Sequence, residues 1–175
     1  MHVRSHPAVA PRRKWLGLRR RPGRLALAVF RLPLILYRRG RGGWLGHTFL
    51  LLVHAGRKTG EPHEAVAMVL ADDAASGEVV ICSGWGPDVD WVRNLRAGPA
   101  QEVVVGRERF APEHRFISDD EAVAVGLAFH RRHHLRLWLV STILGWGALD
   151  SEESVRAFVE HHPFVAFRPA ASVAA

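Results

Sequence analysis

Gly56-Arg57-Lys58-Thr59-Gly60 sets a guanidinium, an ammonium and a hydroxyl between two glycines. Glycine tolerates the positive φ that a tight turn requires. Successive N–H groups in such a turn form a nest that binds anions, so phosphate or carboxylate is the matching ligand chemistry. The spacing is not that of a Walker loop, which needs a longer glycine-rich run ending in Gly-Lys at a helix start. The same residues also suit a solvated basic hairpin loop, and the loop alone leaves both readings open.

A second group able to do chemistry is His130-Arg131-Arg132-His133-His134. His130 and His134 are four residues apart and could share one helix face. Imidazole donates a proton near neutral pH, which makes this pair the candidate acid source. No further ligand of suitable geometry is identifiable, so no metal site is expected. A solvated polar helix end is the competing reading. Cys82 sits in the apolar run Val79-Val80-Ile81-Cys82 and reads as core rather than nucleophile.

These groups must be held by elements that the sequence outlines. Short strands are expected at Phe49–Ala55, His63–Leu70, Glu78–Ser83, Glu102–Val105, Arg109–Ile117 and Phe164–Arg168, each apolar and bounded by turn residues. Pro62 keeps the central loop from continuing as a helix. Asp88 is placed to cap a short helix with Trp91, Val92 and Leu95 on one face, ended by Gly98 and Pro99. Ser118-Asp119-Asp120-Glu121 has the spacing of a capping box and should open another helix. A separate helix is expected over Leu135–Leu144. One more should be capped by Asp150, with Val155, Phe158, Val159 and His162 on a shared face. Short strands at near-regular spacing point to a small barrel with helices packed on it.

Charge is unevenly distributed. Residues 1–60 contain 14 Lys and Arg and no Asp or Glu, whereas the remainder contains 10 basic and 17 acidic residues. Residues 1–24, rich in Arg and Pro, read as a disordered basic arm, and residues 169–175 as a frayed tail. Residues 25–168 form the domain between them. Arg12-Arg13-Lys14-Trp15-Leu16 superficially resembles a twin-arginine export signal, but Arg19-Arg20-Arg21 interrupts the apolar stretch such a signal needs. Leu25 to Tyr37 is too short to span a bilayer. It suits either a helix on a membrane surface or one packed on the domain. A single cysteine excludes an internal disulfide and points to a reducing, cytoplasmic setting, with peripheral contact at the inner membrane face as an expectation.

Taken together, the order of features resembles the deazaflavin-dependent nitroreductase family, a branch of the flavin-binding split β-barrels. The resemblance covers residues 34–117. It rests on Leu36-Tyr37-Arg38, on Leu51-Leu52-Val53-His54-Ala55 running into the Gly56–Gly60 loop, and on Ser83-Gly84-Trp85-Gly86. It also rests on Asp90-Trp91-Val92-Arg93-Asn94-Leu95-Arg96-Ala97 followed by Pro99 and Val103-Val104-Val105-Gly106.

The resemblance implies an α+β split β-barrel of about six mainly antiparallel strands with packed helices. It implies an oxidoreductase that uses the reduced 8-hydroxy-5-deazaflavin coenzyme (coenzyme F-420) on a quinone, nitro compound or similar electron-poor small molecule. FMN is the alternative cofactor. Arg57, Lys58 and Thr59, framed by Gly56 and Gly60, would hold the phosphate and acidic tail. Ser83, Gly84 and Trp85 would lie along the ring system, and Trp91 and Asn94, one helical turn apart, would face the same site. Trp91 as core, Asn94 as a helix-to-loop tie and Trp85 as an exposed lid stand beside those roles. The family often has a basic residue just after the loop proline, where this chain has His63 and then Glu64. Its best-known nitro-activating members use a tyrosine near the substrate. The only tyrosine here is Tyr37, in the N-terminal region, so another group must donate any proton.

Two other classes of function compete: a flavin, deazaflavin or haem binder without turnover, and a basic protein associating with membrane or nucleic acid. Basic and aromatic residues do not interleave as single-strand binding requires, so no nucleic-acid partner is expected. A homodimer is a further expectation.

Overall fold

The computed structural model describes residues 32–171. Residues 1–24, expected to form the basic arm, lie outside that range. The chain runs through a helix at 32–38 (α1), a 3-10 segment Gly42–Thr48, β1 (Phe49–Ala55), β2 (Pro62–Asp73), β3 (Glu78–Cys82) and α2 (Asp90–Ala97). It continues through β4 (Ala100–Val105), β5 (Glu108–Phe110), β6 (Pro112–Phe116), α3 (Asp119–Leu144), α4 (Glu152–Val159) and β7 (Phe164–Pro169).

The seven strands form an antiparallel sheet in the order β5-β4-β1-β2-β3-β7-β6. It curls until β4 and β6 lie against each other, giving a nearly closed barrel. Alternation along each strand builds the interior. Leu50, Leu52, Val79, Ile81, Val103, Val105, Val165 and Phe167 point inward and are fully or almost fully buried. Their neighbours Val80, Phe164 and Ala166 face outward into a second core with Val123, Phe129, Val155 and Val159 from α3 and α4. Leu51 and Val104 pack outward against Tyr37 of α1. Burial on both faces explains why these strands read as continuous apolar runs.

The expected pairing of residues 49–55 with 63–70 is present, in register from Phe49 opposite Met68 to Ala55 opposite Pro62. Several boundaries differ. The segment expected as one strand, Arg109–Ile117, breaks at Ala111. β5 stays on β4, while β6 crosses to β7, so seven strands form instead of about six. Pro112 opens β6 where its missing N–H costs little, opposite Pro169. The two expected helices after Ser118 are one, α3, kinked at His133 (φ −137°, ψ 41°). Ser118 caps it by accepting from the Glu121 N–H, but the Glu121 carboxylate reaches Arg115 rather than closing the capping box.

Asp88 is not the cap of α2. Val89 holds that position without a side-chain bond, and Asp88 pairs with Arg93 at 3.3 Å. Likewise Ser151, not Asp150, caps α4, exchanging hydrogen bonds with Ser154 in a capping box. α4 ends at Val159, so His162 lies beyond it rather than on its face. Ala170, in the expected tail, still donates its N–H to the Ala111 carbonyl at 2.9 Å.

Candidate active site

The Gly56–Gly60 loop joins β1 to β2. It closes through Gly60 N–H to the Gly56 carbonyl at 2.7 Å and Gly56 N–H to the Glu61 carbonyl at 2.8 Å. Gly60 has φ +73°, the left-handed conformation that favours glycine. Gly56 is required for a different reason, because a Cβ there would lie 2.7 Å from the His63 ring nitrogen Nε2.

α2 clamps the loop. The Asn94 carboxamide oxygen accepts from the Arg57 backbone N–H at 3.1 Å and from its guanidinium at 3.0 Å. The same guanidinium donates to Asp90 at 3.0 Å and holds that carboxyl below the usual carboxylate range. On its other side, Asn94 Nδ2 donates to His54 Nδ1 at 3.0 Å, and both side chains are buried. A donor facing Nδ1 requires the neutral ring there, and burial pushes the His54 pKa down in the same sense. His54 stacks on His63, centroids 5.9 Å apart.

Asn94 is thus the tie from helix to loop, and Arg57 is already engaged within the protein. Lys58 is the loop cation with no carboxylate partner among the described residues. The Thr59 hydroxyl accepts from the Glu61 N–H at 3.3 Å.

A narrow apolar cleft, with a cavity volume of about 40 Å³, opens over the outer face of β2. Val66, Met68 and Leu70 form its floor, Trp85 and Trp91 one side, and Val140, Leu144 and Trp146 another. Trp91 and Asn94 are three residues apart on α2, so one helix presents an indole to the cleft and an amide to the loop.

The Ser83–Gly86 turn bounds the cleft and is held by hydrogen bonds to its own backbone. The buried Ser83 hydroxyl donates to the Gly86 carbonyl at 2.5 Å, His162 Nδ1 to the Ser83 carbonyl at 2.7 Å, and Trp146 Nε1 to the Gly84 carbonyl at 2.9 Å. His162 stacks on Phe158 with ring centroids 3.9 Å apart, and burial lowers its pKa. A Cβ on Gly84 would meet Trp146 at 3.2 Å. The close approach expected at this glycine is therefore to Trp146, and Ser83 supports the turn from beneath.

A family-level sequence profile, that of the F-420H(2)-dependent quinone reductases, matches residues 30–132. The chain belongs to that family. No curated protein sequence matches. Among solved structures, an F-420-H2 dependent reductase is 16% identical, with 71% of this chain and 96% of that chain covered and a TM-score of 0.47. The haem storage protein HutZ from Vibrio cholerae is 14% identical, with 77% and 90% covered and a TM-score of 0.44. An FMN-binding protein from Nostoc punctiforme, related to pyridoxamine 5′-phosphate oxidase, is 12% identical, with 83% and 79% covered and a TM-score of 0.43.

As a member of the quinone reductase family, the protein is an oxidoreductase that uses the reduced deazaflavin coenzyme. The residues present fit that coenzyme. A flat aromatic ring requires an apolar, indole-lined slot, and the cleft is one. A phosphate and carboxylate tail requires cations and free N–H groups. The loop offers Lys58, and the backbone N–H groups of Lys58 and Thr59 have no protein partner among the described residues.

The remaining expected residues lie elsewhere. His130 and His134 do not line the cleft and are separated by the kink at His133. The Tyr37 hydroxyl donates to the Phe49 carbonyl at 2.7 Å, and burial pushes its pKa up to about 12. Cys82 reaches the cleft lining, and burial raises its thiol to about 12, which keeps it protonated and unreactive. Among the described residues, no group of three or more His, Cys, Asp or Glu gathers to hold a metal ion.

His54, Asp90, Trp146 and His162 were not expected as site residues: the first two stood only within the motifs of the resemblance, and His162 only on a helix face. His54 had a visible signal as a histidine inside an apolar strand. Trp146 and His162 had none, because they reach the Ser83–Gly86 turn from far along the chain.

Proposed function

We propose that the cleft over β2 takes the deazaflavin ring beside a quinone or similar electron-poor acceptor, and that the Gly56–Gly60 loop takes the phosphate and acidic tail. The observation carrying this reading is α2, which joins the two places through Trp91 and Asn94.

The coenzyme supplies the hydride when bound. The protein's residues do the rest. Val66, Met68, Val140 and Leu144 exclude water from the transfer. Trp85 and Trp91 provide flat faces that orient the rings. Lys58 and the loop N–H groups hold the tail. Cys82 is the one titratable side chain in the cleft lining and its thiol stays protonated, so water at the cleft mouth delivers the proton that the acceptor needs after hydride addition. The charge asymmetry of the chain supports a location at the inner face of a membrane.

The test is titration of the protein with oxidised deazaflavin coenzyme and with FMN, followed by oxidation of the reduced coenzyme with menadione as acceptor. Tight deazaflavin binding and acceptor-dependent oxidation are expected. Binding without oxidation would leave a cofactor carrier instead.

A further inference from the structure

The second half of α3 presents an apolar stripe to solvent. Leu135 is 71%, Trp138 66% and Leu139 51% exposed. Their i, i+3, i+4 spacing lines them up on one helix face. Large apolar side chains so arranged on a water-facing helix mark an interaction surface. The same half of the helix carries Val140 and Leu144 into the cleft, so the stripe borders the cleft wall.

The charges around the stripe identify the partner. Arg131, Arg132 and Arg136 flank it; Arg132 and Arg136 also line a groove with Asp72, Asp73, Glu78 and Glu121, yet none of the three arginines forms an ion pair among the described residues. From Ala122 to Leu149 the chain contains no Asp or Glu. A tryptophan and leucines beside arginines suit the interfacial zone of a bilayer, where apolar groups enter the acyl boundary and guanidinium groups meet phosphates. A second copy of the chain fits worse. A two-fold contact through this face would set its arginines against the same arginines.

We propose that Leu135, Trp138 and Leu139, with Arg131, Arg132 and Arg136, dock the protein on an anionic lipid surface and bring the cleft mouth to it. No helix among the described residues is long and apolar enough to cross a membrane, so the contact is peripheral. The proposal rests on surface residues and stands whether or not the cofactor reading holds.

The experiment is co-sedimentation of the full chain with phosphatidylcholine vesicles, with and without phosphatidylglycerol, at low and high salt. Binding should require the anionic lipid and weaken as salt rises. Leu135→Ser with Leu139→Ser should reduce partitioning at least about tenfold. Arg131→Glu with Arg132→Glu should reduce it at least as much, with unchanged thermal unfolding in both cases. Brominated lipid should quench tryptophan emission less in Trp138→Phe than in the wild type. Unchanged partitioning in both double variants would overturn the proposal and leave the N-terminal arm as the membrane contact. A dimer in sedimentation velocity that the Leu135→Ser, Leu139→Ser variant dissociates would overturn it in favour of a second copy. Equal retention by RNA at matched charge would overturn its lipid specificity.

Discussion

Asn94 and Arg57 are joined twice through one atom: the Asn94 carboxamide oxygen accepts from both the backbone N–H and the guanidinium of Arg57. The arginine of the anion loop is therefore part of the loop's scaffold. Its positive charge is shared with Asp90, whose carboxylate lies 3.0 Å away.

The loop's two cations should accordingly differ under mutation. Lys58→Ala should weaken deazaflavin coenzyme binding by about tenfold to a hundredfold, the value of one well-formed charge-assisted contact. Asp90→Asn should tighten it several-fold at low salt, by releasing the guanidinium toward the ligand. Arg57→Ala combined with Lys58→Ala should cost about two orders of magnitude or more in affinity. Maximal rates at saturating coenzyme should change little, because the tail site makes binding contacts only. Fluorescence titration at low and high salt reads all three. An unchanged dissociation constant for Lys58→Ala would reduce the loop to a solvated turn.

The Gly56 position predicts a rescue. A methyl group there would collide with the His63 ring, 2.7 Å from Nε2, and break its stack on His54. Gly56→Ala should destabilise the fold by about 1 kcal/mol, a typical value for a local clash that a side chain can partly relieve. Adding His63→Ala opens the space and should restore most of the loss. Urea denaturation of the single and double variants measures this. Equal instability of both would mean that the backbone, not the ring, sets the constraint.

His54 and His162 predict an acid limb in stability. Burial lowers both below the ordinary 6.5, so the folded state binds fewer protons than the unfolded state. Their contribution is complete above that ordinary value and is lost as pH falls from it through the depressed folded values. Protonated His54 would also turn an N–H toward the Asn94 amide donor. Carboxylates held low by arginine, such as Asp90 and Glu121, lose their contribution only below the ordinary carboxylate range. Thermal melts across pH should show the two steps separately. His54→Gln with His162→Gln should flatten the upper one, and a wild-type melting temperature constant across that upper step would contradict the assignment.

Strands β1 to β4 were legible because each is a short apolar run between turn residues, and the loop was legible from its glycines. Ala111 was not, since nothing in Arg109–Ile117 marks where the chain leaves β4 for β7. The continuity of α3 was hidden by the polar stretch around His133, which looks like a break and is a kink. In the site, Trp91 and Asn94 could be placed together because helical spacing is local. The hydrogen bonds of Trp146 and His162 to the Ser83–Gly86 turn span 62 and 79 residues, and no local pattern encodes them.

β7 lies between β3 and β6 in the sheet, and its Val165 and Phe167 are completely buried inside the barrel. β7 also comes after the other six strands in chain order. As the chain leaves the ribosome, β5-β4-β1-β2-β3 can assemble, but β3 keeps a bare edge and β6 has no neighbour. The barrel can close only once β7 has itself cleared the exit tunnel. Until then the nascent protein exposes an open edge and an apolar interior, the state in which chaperones engage a chain. A stop codon just before Phe164 would therefore remove the keystone of the barrel rather than trim its end.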